Sequence, residues 1–430
     1  MNLRLYGSLI TVLALGCQKA PLSDTTGFII DGLEVVFKRT PGRPLVAAGF
    51  YLRGGLSYGN PEQAGLEPLL LATMMEGTLR LDKVHSRLDA LSATLEVVAE
   101  YDYSGLTISF PIEHWPAAWE LLSDILLHPR LDPVDLERVR DRIISGRITA
   151  PTGPAQDASR NANQLYYSRH HYSRRPWGSL ESLSRLKRRD LVQYYRGDVT
   201  KNRALLVVVG DLDLDELTSH TRRLAKQLPL GPDMLPPALT FDPGKSELKV
   251  SRRSLSREHI TGLFGAPRPG HPDFPAFTVA LILLEDLLYD ELHTSRQLVD
   301  HPMARAGDRF FNYGLISLST ARPREALQVV FEVLERLTVN LLPVTVLQGR
   351  IAVALTRHHR RLAGAAGARD RLAHWKIVGE SWEQLDQFAP ELGTVRPEQV
   401  QLVMRKYVRN IHFAVVGNPR KVPRKLLTSR

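Results

Sequence analysis

The stretch VAAGFYLRGGLSYGNPEQAGLEPLLLATMM, Val46–Met75, has an echo in ITGLFGAPRPGHPDFPAFTVALILLEDLL, Ile260–Leu288. Each runs from a strand-like apolar segment through a Gly/Pro turn into an apolar helical segment. A second pair closes the two copies. NRALLVVVGDLDLDEL (Asn202–Leu217) and RNIHFAVVGNPRKV (Arg409–Val422) each give a polar entry, a buried apolar strand, then glycine and a polar turn. Their glycines, Gly210 and Gly417, stand 207 positions apart, and the first pair is offset by a similar distance. A chain of 430 residues is too long for one ordinary core, and a repeat of this period divides it into two equal halves.

The halves join at LPLGPDMLPPALTFDPGKS, Leu228–Ser246, where five prolines and two glycines predict an extended linker. The expected organisation is an N-terminal domain over residues 27–230, a linker over 231–247 and a C-terminal domain over 248–430. GFIIDGLEVVFKRT reads as a hairpin turning at Asp31-Gly32. LEVVAEYDYSGLTISFP reads as two strands about Asp102–Gly105. EHWPAAWELLSDILLHP and DPVDLERVRDRIISGRI read as amphipathic helices, the second opened by Asp132-Pro133. AGAAGA, Ala363–Ala368, reads as a loop or weak helix; no Lys-Ser/Thr follows to make it a phosphate loop. The fold class is therefore α+β, with mainly antiparallel sheets and helices packed on them.

The net charge of +10 comes mostly from arginine, with 44 Arg against 12 Lys. Such a charge bears on solubility and nonspecific attraction rather than fold. No zinc finger, RRM or basic heptad accompanies it, so a nucleic-acid partner is not expected. The one cysteine, Cys17, allows neither an internal disulfide nor a multi-Cys metal site. Its place carries more meaning. MNLRLYGSLITVLALGCQKA has a cationic Arg4 and an apolar run from Leu5 to Leu15, too short to span a bilayer. The ALGC that follows resembles a bacterial lipobox. The resemblance implies a lipoprotein signal peptide over residues 1–16 and a diacylglyceryl group on Cys17, with an acylated new N-terminus. Ala14, where leucine is usual, departs from that pattern. Gln18 rather than Asp after the cysteine points to the outer membrane, facing the periplasm. Several acyl chains together hold a protein on a membrane where one would be marginal.

Over most of the chain, from about Gly27 to the C-terminus, a series of pieces occurs in a recognisable order. They are DGLEVVFKRTPGRPLVAAGFYLRGGLSYGNPEQAGL, FPIEHWPAAWELLSDILLHPRLDPVDLERVRDRI, HHYSRRPWGSLESLSRLKRRDLVQYYRGDVTKNRALLVVVGDLDLDEL and DFPAFTVALILLEDLL. Together they resemble the insulinase-like (M16) metallopeptidases, which include the mitochondrial processing peptidase. The resemblance implies the LuxS/MPP-like metallohydrolase fold, with two homologous halves arranged as a clamshell. In active members Gly-Leu is followed by His-x-x-Glu-His. Histidines four apart share one helical face, and the glutamate acts as general base on zinc-bound water. Here GLEPLLLATMMEGT, Gly65–Thr78, places Pro68 and Ala72 at the histidines and Leu71 at the glutamate. The third ligand falls at Gly146 and its supporting glutamate at Val139. None of these side chains offers a ligand or a base, so no zinc is expected and no cofactor is assigned.

A proline in the first helical turn costs little, so the helix can persist around Pro68. Its apolar face suits packing or contact with an unfolded peptide. Glu67 and Glu76 flank the motif, and Glu67, next to a ligand position and so pointing off that face, reads as a surface glutamate. His170-His171 and His358-His359 point apart and sit among arginines, which makes them poor cation sites. No Gly-x-Ser-x-Gly nucleophile elbow is present. Non-catalytic bacterial members carry an Arg and a Tyr that complete the site of a catalytic partner. The matching segment begins at Ser295-Arg296. Arg296, Arg305, Arg309 and Tyr313 are its candidate contacts, although Pro302 stands where the Arg would fall. The expected function is that of a non-catalytic, lipid-anchored homologue binding a catalytic insulinase-like paralogue, another envelope protein or a peptide. A structural lipoprotein of an envelope assembly and a peptidase with an unrecognised metal site are the alternatives.

Overall fold

A computed structural model of the chain describes residues 24–428 apart from 59, 82, 151 and 233–240. Cys17 and the lipobox lie outside the described residues, as do residues 233–240 of the segment expected to be the linker. Two mixed sheets carry the architecture. The first contains β1 (Thr25–Ile30), β2 (Leu33–Arg39), β3 (Leu45–Arg53), β4 (Thr94–Ala99), β5 (Tyr103–Pro111) and β6 (Ala204–Gly210), in the order β1-β2-β6-β3-β5-β4. The second contains β7 (Leu248–Arg252), β8 (Glu258–Gly265), β9 (Met303–Ala306), β10 (Tyr313–Thr320) and β11 (His412–Gly417), in the order β7-β11-β8-β10-β9. Apart from β1, the two orders correspond strand for strand, and each sheet has a single parallel pair, β2 with β6 and β7 with β11. The repeated LLVVVG and FAVVG segments are therefore the same central strand of the two sheets.

Local chemistry accounts for the turns. Asp31 and Gly32 both have positive φ, as a two-residue hairpin turn requires, and β1 and β2 pair directly through Ile30 and Leu33. The β4–β5 turn sits at Glu100–Asp102, earlier than the expected Asp102–Gly105, because Ala99 already pairs with Ser104. Gly105 lies within β5, where a Cβ would come within 2.7 Å of the Phe50 carbonyl oxygen.

The helices that matter below are α1 (Leu66–Met74), α2 (Trp115–Leu127), α3 (Pro133–Ile143), α4 (Pro154–Tyr166), α5 (Arg188–Asp198), α6 (Leu214–Gln227), α7 (Phe274–Tyr289) and α8 (Gly364–Val378). Helix α3 begins as its sequence predicts, with Asp132 accepting a hydrogen bond from the Val134 amide. The AGAAGA stretch opens α8 and is helical from Gly364 onward.

Alternate residues of each strand belong to different cores. On β3 and β6, Val46, Ala48, Phe50, Leu52, Leu206 and Val208 face α1, α2, α3 and α6. Tyr51, Leu205, Val207 and Val209 face the opposite way and join a core made mostly of second-half residues, with Leu372 and Trp375 of α8 among them. Because both faces are covered, all seven residues of β6 are buried. The counterpart occurs on the second sheet, where α4 from the first half packs on β8 and β11 through Ala162 and Tyr166, against Leu263 and Ala414. Helices α4 and α8 stand about one repeat apart in the chain, so each half covers the other's sheet with its equivalent helix. The halves are interlocked, not merely facing one another. Tyr51 donates to Asp370 at 3.1 Å, Lys376 pairs with Glu34 at 2.9 Å and Arg253 pairs with Asp157 at 2.8 Å, each bond crossing between halves.

Candidate functional site

Helix α1 starts at a glycine the backbone demands. Gly65 has φ 92°, and a Cβ there would stand 2.7 Å from the Trp177 carbonyl oxygen. The amide of Leu69 makes the first intrahelical bond, to Gly65, so Pro68 in the first turn removes nothing the helix uses. Every residue from Leu66 to Met74 is buried. Leu71 is wholly inaccessible, Ala72 is 8% exposed, and both belong to the first core together with Val139 of α3. The apolar face at the former ligand positions is thus consumed by packing within its own half. Gly146 lies on the π-turn Ile144–Ile148 that ends α3; it is exposed, and a Cβ there would meet nothing within 4 Å. Among the described residues, no three His, Cys, Asp or Glu side chains converge as a metal site would need.

The two glutamates flanking this helix are not surface carboxylates. Glu67 is 7% exposed and pairs with Arg203, itself fully buried, at 2.7 Å. Tyr194 of α5 also donates to Glu67, at 2.6 Å. The Arg203 guanidinium lies over the Tyr58 ring at 3.7 Å and donates to the backbone carbonyls of Arg53 and Asp198. Burial alone would lower its pKa, but the charge of Glu67 holds it raised; burial, then Glu67, pushes the Tyr194 phenol well above its ordinary range. Glu76 is likewise buried, bonded to Arg138 at 2.8 Å and Arg142 at 2.5 Å. The same α3 helix that would have carried the third ligand turns its arginines onto it. Three long-range ion pairs, one on Glu67 and two on Glu76, thus fix both ends of α1 to neighbouring elements. Adjacency to a ligand position did not reveal this, since Arg203 is 136 residues away from Glu67.

The four candidate contacts of the second half are divided. Arg296 lies apart, between Glu291 at 3.5 Å and Glu332 at 3.7 Å. Arg305, Arg309 and Tyr313 line one cavity of about 400 Å³. Arg309 stacks over Tyr101 at 3.4 Å and Tyr313 at 4.8 Å, and donates to Asn163 of α4 at 2.6 Å. Its loop is tied to the first half as well, since Asp102 accepts from the Phe310 amide at 3.2 Å and from the Tyr172 hydroxyl. Burial pushes the Asp102 carboxyl up to about 6, against those hydrogen bonds.

The first half adds Arg147, Arg160, Arg174 and Arg175 to the same cavity, and no Asp or Glu lines it. These four are residues the sequence reading passed over. The signal was the arginine pair in HHYSRRPW, noted only as a reason why the adjacent histidines would not hold a cation. Burial, then the charge of its neighbour His171, lowers His170 to about 4, and burial, then Arg174, lowers His171. Arg174 also lines a small pocket of about 40 Å³ that reaches Glu67 and Pro68. The arginine-lined cavity therefore opens beside the start of α1.

Comparison with known proteins agrees with this geometry. Residues 185–346 match the family described as the Peptidase M16 inactive domain. The chain is similar to the non-peptidase homolog YmxG of Helicobacter pylori, 24% identical over 237 residues, which is 55% of this chain and 54% of that one. It thus aligns with about half the length of that relative. An uncharacterized zinc protease of Mycobacterium leprae is 22% identical over 423 residues, 92% of each chain. Among solved structures, the peptidase M16 inactive domain of Pseudomonas fluorescens superposes with a TM-score of 0.81 at 18% identity, covering 92% of this chain and 98% of that one. A Helicobacter pylori protease gives a TM-score of 0.81 at 14% identity, covering 92% and 100%. The chain thus has the fold of the solved M16 structures over 92% of its length and matches the M16 inactive-domain family over residues 185–346.

Proposed function

We propose that this protein is a non-catalytic M16 homologue that works by binding, its partner being a catalytic M16 paralogue or a peptide or protein of the bacterial envelope. The observation that carries the reading is the burial of Leu71 and Ala72 in the first core, at positions where active members place a general base and a zinc ligand. A catalytic zinc needs three protein donors and an open position for water. Here those positions hold hydrocarbon side chains in close packing, and Gly146 points at open space. The two-sheet scaffold is nonetheless complete, and its cavity lies between the halves. Attachment through lipidated Cys17 would place the chain on the envelope, within reach of such a partner. The printed name of the Mycobacterium leprae relative makes zinc peptidase activity the outcome to be excluded.

One preparation tests this. Protein isolated from native envelope is expected in the detergent phase, with the Cys17→Ser variant in the aqueous phase. It is expected to carry no stoichiometric zinc by elemental analysis and to cleave no peptide by itself, while co-purifying with an M16 peptidase whose activity falls when this chain is deleted. About one tightly held zinc per chain, with peptidase activity from the isolated chain, would overturn the non-catalytic reading.

A further inference from the structure

The cavity between the halves is unusual in its charge. Arg147, Arg160, Arg174 and Arg175 approach it from the first half, Arg305 and Arg309 from the second. Arg160 is paired with Asp157 at 3.3 Å, and Arg309 is held among tyrosines and Asn163. Arg147 lies over the Trp177 ring at 4.1 Å. Among the described residues, no carboxylate lies within 4 Å of Arg174, Arg175 or Arg305, and no carboxylate lines this cavity. Burial, then the like charge of Arg160, lowers the pKa of Arg175, so these two guanidinium groups repel one another. An anion entering the cavity relieves that repulsion and gains fork-shaped donors suited to carboxylates and phosphates.

The shape of the site favours one kind of anion. Its base reaches the buried Leu263 and Leu315, and its wall is aromatic, from the half-buried Tyr101 and Tyr313. Through Gln164, Ser173, Arg174 and Arg175 it is continuous with a second cavity of about 590 Å³ that extends past Ile148 to Ser179 and is lined there by Glu62 and by Glu181, the latter paired with Arg185 at 2.5 Å. Together the two cavities form an elongated groove whose carboxylate-free end carries six arginines from several elements, a length that suits a polypeptide segment better than a compact phosphate. We propose that this groove binds an acidic polypeptide segment, with Asp or Glu carboxylates on Arg174, Arg175 and Arg305 and apolar side chains against the Tyr101 and Tyr313 rings. The proposal rests on the binding function above and names the chemistry of the partner.

The test uses the full-length protein and fluorescently labelled peptides that alternate leucine with glutamate, glutamine or lysine, followed by anisotropy. The glutamate peptide is expected to bind at least about tenfold more tightly than the glutamine peptide at low salt, with the advantage shrinking as salt screens it. The combined Arg174→Gln, Arg175→Gln, Arg305→Gln variant should lose about tenfold for the glutamate peptide and keep its affinity for the glutamine peptide and its melting temperature. Equal binding of glutamate and glutamine peptides would overturn the acidic selectivity while leaving a binding function standing. Undiminished glutamate-peptide binding by the variant would overturn the location. Tight binding of tripolyphosphate with no measurable binding of the glutamate peptide would replace it with a phosphate site. No binding of any peptide, with an M16 peptidase still co-purifying, would sink this proposal and leave the paralogue partnership intact.

Discussion

Two sets of arginines lie close together in this molecule and are used in opposite ways. Around α1, Arg203, Arg138 and Arg142 are each bonded to a buried carboxylate, and no charge there is left for a ligand. Beside it, Arg174, Arg175 and Arg305 face a cavity with no carboxylate in its lining. A charge neutralised within the protein holds elements in place, at a desolvation cost its partner offsets. A charge left facing a solvent-filled groove retains its attraction for something that arrives later. The charges around α1 are spent on holding the helix in place, and those beside it face an open cavity.

The contrast breaks most readily at Arg203. Arg203→Met removes the cation from the Glu67 pair and leaves a buried carboxylate with only Tyr194 donating to it. Stability should fall by about 3–5 kcal/mol in denaturant titration, and replacing Glu67 by Leu in the same chain should recover part of it. A loss under about 1 kcal/mol would mean that the pair is as weak as a surface bridge and that the two arginine sets do not differ.

Asp102 sharpens the comparison at the groove's margin, because it is a buried carboxyl that no arginine bonds directly. Its folded pKa of about 6 lies above the ordinary 3.8. The folded state therefore holds this proton more tightly than the unfolded chain. Its contribution favours folding as pH falls through about 6, saturates near the ordinary carboxylate value, and is lost as pH rises above 6. Stability should gain on the order of 1–3 kcal/mol from this group between neutral pH and pH about 4. The Asp102→Asn variant should lack that rise, and an identical pH profile in the two proteins would refute the assignment.

The smallest effect belongs to Gly146. With no atoms near its Cβ position, Gly146→Ala should be neutral or stabilise by at most about 1 kcal/mol. A melt showing a loss of more than about 2 kcal/mol would mean that this turn packs closely, contrary to the open surroundings described here.

Much of the fold was legible because it is written in local chemistry. The Asp31-Gly32 turn, the Asp132-Pro133 helix start and the apolar runs that become β6 and β11 can each be read within about ten residues. The candidate site was legible only in part. Arg305, Arg309 and Tyr313 were marked out and do share a cavity, while Arg296 turns to Glu291 and Glu332. Glu67 looked like a surface charge because helical position alone does not say what approaches from α5 or from the segment at Arg203.

By itself the sequence determined the two-fold repetition and the α+β alternation, and it placed side chains without donor atoms at Pro68, Leu71, Ala72 and Gly146. These depend on residue identity and on spacings a few positions long. Only the tertiary structure decided which charges meet. The exchange of α4 and α8 between the halves carries Arg160 and Asn163 to the second sheet and the Arg309 loop to Tyr101 and Asp102. Coulomb and hydrogen-bond energies depend on separations of a few ångströms in space. For groups more than a hundred residues apart in the chain, the packing of the two sheets sets those separations.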